Sequence, residues 1–291
     1  MAITSHLNRI LFPIDFSNRC IATARRVRVI AERFDSEVFL LHVVAPLRAD
    51  CAAFDLTALI PECAAALTSR ARGELDGFLA AEFEHLRVRR ILAEGDPADA
   101  IVQHAQALGA DLIMMPTRGL GVYRRYVIGS VTAKVLHDAN TPVWTGIHDR
   151  TAPPFSTRFR RILCAVDLGP HSVQVLEWAS AFAGRLDASV TLLHVTADLR
   201  SIPGREFDES WHSSLVNWVR DELEKLQDSV KARCDIHVAM GDAVKGIVHT
   251  AGELKPDLLV IGRSPHEGTV GRLRAQAYAV IGQSPCPVAS V

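Results

Sequence analysis

No run of 18 or more apolar residues occurs in the 291 residues of this chain, so the sequence offers no helix long enough to cross a bilayer. An excess of one charge sign is also missing. Lys and Arg number 32 against 33 Asp and Glu, and a near-neutral chain has no global field to draw it onto nucleic acid or an anionic membrane. The six cysteines (Cys20, Cys51, Cys63, Cys164, Cys234 and Cys286) form no Cys-x-x-Cys pair and have no histidine at zinc-ligand spacing. They read as small, reduced, mostly buried side chains, with no metal site. Catalytic signatures are lacking too: no Gly-x4-Gly-Lys-[Ser/Thr] loop, no Gly-x-Gly-x-x-Gly after a first strand, no Gly-x-Ser-x-Gly elbow. Nothing places a nucleophile beside a base, so no catalytic residue is assigned. The chain opens with a short polar stretch and reaches Arg9-Ile-Leu-Phe-Pro-Ile-Asp15 too early for a signal peptide. The expected location is the cytoplasm.

What the sequence does contain is itself, twice. Arg9-Ile-Leu-Phe-Pro-Ile-Asp15 recurs as Arg161-Ile-Leu-Cys-Ala-Val-Asp167, and Phe39-Leu-Leu-His-Val43 as Thr191-Leu-Leu-His-Val195, both at an offset of 152 residues. Gly95-Asp96 recurs as Gly241-Asp242 and Asp111-Leu-Ile113 as Asp257-Leu-Leu259, at 146, and Pro142-Val143 as Pro287-Val288, at 145. Five blocks in one order mark a tandem duplication whose second copy has lost loop residues. The boundary falls within His148–Thr157, where two prolines among small polar residues suit an exposed linker. A first domain of residues 1–149, a linker of 150–158 and a second domain of 159–291 follow.

Within each copy, strand-like and helix-like patterns alternate. In the first, Ile10–Ile14, Glu37–Val44, Arg87–Ala93, Asp111–Met115 and Pro142–Ile147 read as strands. Ile21–Phe34, Cys63–Phe83, a segment opening at Pro97, and Ser130–His137 read as helices. Such alternation predicts an α/β fold with a mostly parallel sheet covered on both faces. Sheets of this kind bind ligands beyond the carboxyl ends of their strands, where strand order reverses. That directs attention to Asp15 after the first strand, to the loop Pro116–Ile128 after the fourth, and to their second-copy counterparts.

These residues resemble the universal stress protein family. The resemblance is carried by Ile10-Leu-Phe-Pro-Ile-Asp-Phe-Ser17, Leu41-His-Val43, Gly95-Asp-Pro97, Asp111-Leu-Ile-Met-Met115, Gly129-Ser-Val-Thr-Ala-Lys-Val135 and Pro142-Val143, and it covers nearly the whole chain, twice. It implies two tandem open five-stranded parallel sheets flanked by helices, Rossmann-like and akin to the adenine nucleotide alpha hydrolases. It also implies pairing of the two domains through their final strands, and pairing of two chains as a homodimer. Nucleotide-binding members carry Gly-x2-Gly-x9-Gly-[Ser/Thr] after the fourth strand. Glycines there let backbone N–H groups approach phosphate, and the Gly-Ser pair opens a helix whose free N–H groups favour an anion. The first copy matches at Gly119 and Gly129-Ser130, but Pro116, which has no N–H, stands at the first glycine. The resemblance implies ATP or a related adenine nucleotide, with Mg²⁺, on the first domain. Asp15 would meet the ribose or adenine, Val43 would flank the adenine, and Met115 and Pro116 would line the cleft. Gly119, Gly129, Ser130 and Val131 would hold the phosphates. Slow ATP hydrolysis is the most activity it allows. In the second copy Asp167, Val195 and Gly262 persist, but Pro265 replaces a glycine and Ala275-Gln276 replaces Gly-Ser at the expected helix start; that site reads as degenerate.

Other readings stand beside these. Asp15 and Asp167 could each be a helix cap. His42 and His194 read as packed, hydrogen-bonded histidines. Arg118, Arg124 and Arg125, like Arg263, Arg272 and Arg274, form either an anion-attracting rim or a solvated loop face. Only Tyr123 and Tyr126 interleave with them, so nucleic acid is not an expected partner. The segments Ala45–Glu62 and Ala197–Glu209 can lie over the ligand cleft. Two functions fit these residues: a stress-responsive regulatory protein that binds nucleotide through its first domain, and a protein-interaction module of the same fold that binds none.

Overall fold

A computed structural model describes residues 7–46, 60–117, 128–146, 159–198, 209–263 and 270–291. The first repeat runs β1 (Arg9–Ile14), α1 (Asn18–Phe34), β2 (Glu37–Val44), α2 (Ile60–Gly77), β3 (Arg87–Glu94), α3 (Pro97–Leu108), β4 (Leu112–Met115), α4 (Ser130–Asp138) and β5 (Val143–Thr145). The second runs β6 (Arg161–Ala165), α5 (Ser172–Leu186), β7 (Ser189–Thr196), α6 (Glu209–Ser229), β8 (Asp235–Met240), α7 (Ala243–Leu254), β9 (Leu258–Ile261), α8 (Val270–Gln283) and β10 (Val288–Ser290). The chain resolves into two compact bodies, one holding the first repeat as far as Val143, the other holding Trp144–Val291.

In the first repeat the strand order is β3-β2-β1-β4-β5. β2 and β4 both pair parallel to β1, and β3 pairs parallel to β2. The second body repeats this as β10-β9-β6-β7-β8, again parallel throughout. The central strands are buried along almost their full length: Ile10 to Ile14 in β1 and all four residues of β4. Burial on both faces is what a parallel sheet between helix layers requires. Among the described residues, no helix is long and apolar enough to cross a membrane.

Several motif residues prove to be fastenings. Asp111 Oδ2 accepts the N–H groups of Asn8 and Arg9 at 2.7 and 2.9 Å, and Asp257 Oδ2 accepts those of Arg160 and Arg161 at 2.7 and 3.0 Å. Each pins the start of one central strand to its neighbour, and β4 accordingly begins at Leu112, one residue after its Asp. Gly95 and Gly241 adopt φ of 131° and 115°, open only to glycine without strain. The next residue, Asp96 or Asp242, caps the following helix: Asp96 accepts from Ala98 and Asp99 N–H, and Asp242 from Lys245 N–H.

Sequence periodicity misplaces three helix ends. α1 begins three residues before Ile21, because the buried Ser17 hydroxyl accepts the Cys20 N–H and caps it. α2 spans Ile60–Gly77 rather than Cys63–Phe83, since the chain turns after Gly77, with Leu79 at φ 56°. Arg90 on β3 donates to the Leu75 and Phe78 carbonyls where α2 ends, which suits a cation at the negative pole of a helix. Cys63 is also exposed, against the expectation of burial.

The repeats distribute their aromatic bulk differently. Phe12 in β1 meets Phe83 edge-on at 6.5 Å, whereas Cys164 occupies the Phe12 position in β6. The second body instead stacks Trp178 on Phe182 along α5 at 5.0 Å, with Phe159 edge-on to Phe182 at 6.0 Å. It also brings α7 against β7 through Gly246, where an added Cβ would lie 2.7 Å from Val195 Cγ1 and 3.0 Å from Cγ2. Gly246→Ala should therefore destabilise the chain by about 1–2 kcal/mol, overpacking outweighing the roughly 1 kcal/mol that alanine gains in a helix. A urea midpoint at or above that of the parent would show that the helix simply moves aside.

Candidate functional site

Strand register builds the site. Ile14 of β1 pairs with His42 of β2, and Leu11 with Ile113 of β4. Continuing both registers puts Asp15 level with Val43 on one side and with Thr117 on the other, with neighbouring strands about 5 Å apart. This row lies just past the carboxyl ends of β2, β1 and β4, and it straddles the point where strand order reverses. Met115 is the last residue of β4; Pro116 and Thr117 follow it, all three buried.

The start of α4 is tied to the same place. Thr132 Oγ1 donates to the Pro116 carbonyl at 3.2 Å, and the Gly129 N–H donates to the Thr117 carbonyl at 3.0 Å. Gly129 is the N-cap residue and supplies no capping side chain, and the first turn holds no acidic residue. Ser130 is exposed and Val131 half-buried, and their N–H groups have no intrahelical acceptor at such a position. They form a small pole of positive potential at the end of β4. Lys134, one turn on, is held by Asp96, the N-cap of α3, at 3.2 Å and by Asp99 in its first turn at 2.6 Å. The Asp99 N–H and then Lys134 lower the Asp96 carboxyl below its usual range.

Asp15 is half-buried, and its Oδ1 accepts the Ser17 N–H at 3.1 Å and the Cys20 thiol at 3.0 Å. Burial, and then the Asp15 charge, push the Cys20 thiol up to about 12. Between Asp15 and Ser17, Phe16 takes a left-handed backbone, φ 59°, at a cost of about 1–2 kcal/mol for a bulky residue. Its ring rests on His42 at 4.3 Å and meets Phe78 at 5.2 Å. The His42 Nδ1–H donates to the Ile14 carbonyl at 2.9 Å, so this histidine is a packed, hydrogen-bonded one. Strand alternation turns Val43 to the opposite face from His42, the face on which α3 meets β2.

The second body repeats half of this. Asp167 Oδ1 accepts the Gly169 N–H at 2.8 Å and the Ser172 hydroxyl at 3.1 Å. Leu168 is left-handed at φ 60°, and His194 Nδ1–H donates to the Val166 carbonyl at 2.9 Å. Register again sets Asp167 level with Val195. The helix beyond β9 differs: α8 starts at Val270, so Ala275-Gln276, expected at its first turn, lies inside it. Backbone N–H groups there serve the helix itself. Gly262 follows β9, and an added Cβ would lie 3.2 Å from Val175 Cγ2.

The structure thus brings Asp15, Val43, Met115, Pro116, Gly129, Ser130 and Val131 to one end of one sheet. Gly119, Arg118, Tyr123, Arg124, Arg125, Tyr126 and Pro265 lie outside the described residues. Neither aspartate is a helix N-cap; Ser17 and His171 are. Sequence reasoning missed Thr117 and Thr132, whose bonds join β4 to α4. The Thr at 132 within Gly-Ser-Val-Thr was the available signal. Among the described residues, no group of three or more His, Cys, Asp or Glu side chains is placed to hold a metal.

Both halves of the chain match one family model, the universal stress protein family, over residues 6–145 and 158–291. The chain belongs to the universal stress protein family. A universal stress protein of Mycolicibacterium smegmatis is 25% identical over 283 residues, 94% of this chain and 93% of that one. Universal stress protein A homolog 1 of Coxiella burnetii is 28% identical over 138 residues, 46% of this chain and 96% of that relative. The crystal structure of a universal stress protein from Archaeoglobus fulgidus superposes with a TM-score of 0.70 at 21% identity, covering 99% of this chain and 97% of that one. That likeness gives the fold: two tandem α/β units of the universal stress protein type. The shorter Coxiella relative corresponds to one such unit.

Proposed function

We propose that this universal stress protein is a cytoplasmic stress-response regulator that binds ATP or a related adenine nucleotide through its first repeat. The second repeat is its structural partner. The observation that carries the reading is the row of Asp15, Val43 and Thr117 at the strand-order reversal, with an acid-free helix N-terminus at Ser130 fastened to the same end of β4. An acceptor carboxylate, an apolar side chain and a pole of backbone N–H groups match a ribose or amino group, a base and a phosphate. In this reading Asp15 takes the ribose or adenine, Val43 flanks the base beside Met115 and Pro116, and Gly119, Gly129, Ser130 and Val131 surround the phosphates. Mg²⁺ would arrive on the phosphate oxygens, since it keeps several waters and needs few protein ligands. The pairing of repeats through their last strands and a homodimer of chains belong to the same proposal. Turnover is slow hydrolysis at most.

A second reading has its own observation. The Gly129 N–H is already given to Thr117, and Pro116 has none to give. With two of the expected donors spent, a module that acts by protein contacts alone is the alternative. Isothermal titration with ATP and Mg²⁺ separates the two. The expected result is saturable binding, weakened about tenfold in Asp15→Ala by loss of a charge-assisted hydrogen bond. No heat of binding from folded protein would support the interaction module.

A further inference from the structure

The two aspartates are held from the same two relative positions although their surroundings differ. In each repeat one carboxylate oxygen, Oδ1, accepts the backbone N–H two residues ahead and a side-chain donor five residues ahead. These are Ser17 and Cys20 for Asp15, and Gly169 and Ser172 for Asp167. The helices that follow do not share a start. α1 opens at Asn18 behind a Ser17 cap, whereas α5 opens at Ser172 behind His171, two residues later in repeat register. Helix capping therefore does not explain the pattern. The donor atom differs too, sulfur at 3.0 Å in one and oxygen at 3.1 Å in the other, while the geometry persists. The Cys20 side chain is 1% exposed, so neither solvent nor reagent competes for the thiol proton.

We infer that Cys20 is a positioning residue: its thiol holds Oδ1 of Asp15, fixing the carboxylate so that Oδ2 is presented as an acceptor toward the row that Asp15 shares with Val43 and Thr117. Two donors on one oxygen set the side-chain rotamer and leave the second oxygen for a ligand O–H or N–H. Ser172 does the same for Asp167. The left-handed backbone at Phe16 and Leu168 turns the chain so that donors two and five residues ahead reach back to the carboxylate. The bearing of Cys20 on affinity rests on the nucleotide reading above; the fixing of the carboxylate does not.

The test uses the full chain with Cys20→Ala, which removes the donor, and Cys20→Ser, which restores it with a hydroxyl as at Ser172. Three-bond couplings to the Asp15 carboxyl carbon, measured by NMR without ligand, should report one rotamer in the parent and in Cys20→Ser, and averaging in Cys20→Ala. ATP affinity should fall about fivefold in Cys20→Ala, the worth of one ordinary hydrogen bond. It should return to within about twofold of the parent in Cys20→Ser, and Cys20→Ala should cost nothing further in an Asp15→Ala background. A packing defect alone would give an equal loss in both backgrounds. A single Asp15 rotamer in Cys20→Ala, or an equal loss in the Asp15→Ala background, overturns the inference. Absence of ATP binding from every form overturns the nucleotide reading instead, and the couplings still decide the role of Cys20.

Discussion

Gly129→Asp is expected to lower ATP affinity by at least about 100-fold while leaving the chain as stable as the parent or more so. Gly129 is the N-cap of α4 at φ −61° and ψ 147°, an extended conformation open to any L-residue, and its own hydrogen bond is made through the backbone to Thr117. Asp is among the best N-cap residues, and replacing a glycine cap should add a few tenths of a kcal/mol. The carboxylate would accept from the first-turn N–H groups and sit at the positive pole of the helix. A phosphate needs the same groups and would now face a like charge at roughly 4 Å, a repulsion on the order of 3–4 kcal/mol near a protein surface. Stability and affinity thus move in opposite directions, which separates loss of the site from loss of the fold. Titration calorimetry and urea denaturation on the same sample measure both. Unchanged ATP affinity in this variant would place the nucleotide somewhere other than the start of α4.

Phe12→Ala should cost about 3–5 kcal/mol, the usual range for emptying a phenylalanine site in a packed core. Phe12 is fully buried in the middle of β1, pairs with Leu40 of β2, and meets Phe83 edge-on. Its removal opens a cavity under strands that are bonded on both sides and have little freedom to collapse. At the Cys164 counterpart a small residue fills the same strand position, in a body that carries aromatic bulk on α5 instead. The urea midpoint of Phe12→Ala reports the loss. A cost under about 1 kcal/mol would mean that the first repeat closes over the gap.

The duplication, the alternation of elements and the carboxyl-end row were legible because each leaves a pattern in residue type. Apolar runs mark doubly covered strands, Gly-Asp marks a positive-φ turn followed by a cap, and a strand-terminal Asp marks the reversal point. The caps were less legible, because Ser17 and Asp15 are both good cap residues two positions apart, and only the backbone turn at Phe16 decides between them. Nothing in residue type announces a bulky left-handed residue: Phe16 and Leu168 are held by what surrounds them. The start of α8 was misjudged by alignment with α4. Before Ser130 stand Tyr126-Val-Ile-Gly129, β-branched and glycine residues that resist helix, whereas Arg272-Leu-Arg-Ala-Gln276 are helix formers and the helix extends through them. Val195 and Gly246 meet only in the folded chain.

The earlier start of α8 shortens the connection after the fourth strand from the 14 residues of 116–129 to the 8 of 262–269. On the proposed reading this makes the chain thermodynamically lopsided. A ligand that binds only the native state raises stability by RT ln(1 + [L]/Kd), about 2.7 kcal/mol at a hundredfold excess over Kd. That gain originates in the first repeat. The second repeat, which holds no nucleotide in this account, gains from it only in so far as it unfolds together with the first, so the difference between the two halves under rising nucleotide measures how tightly they are coupled.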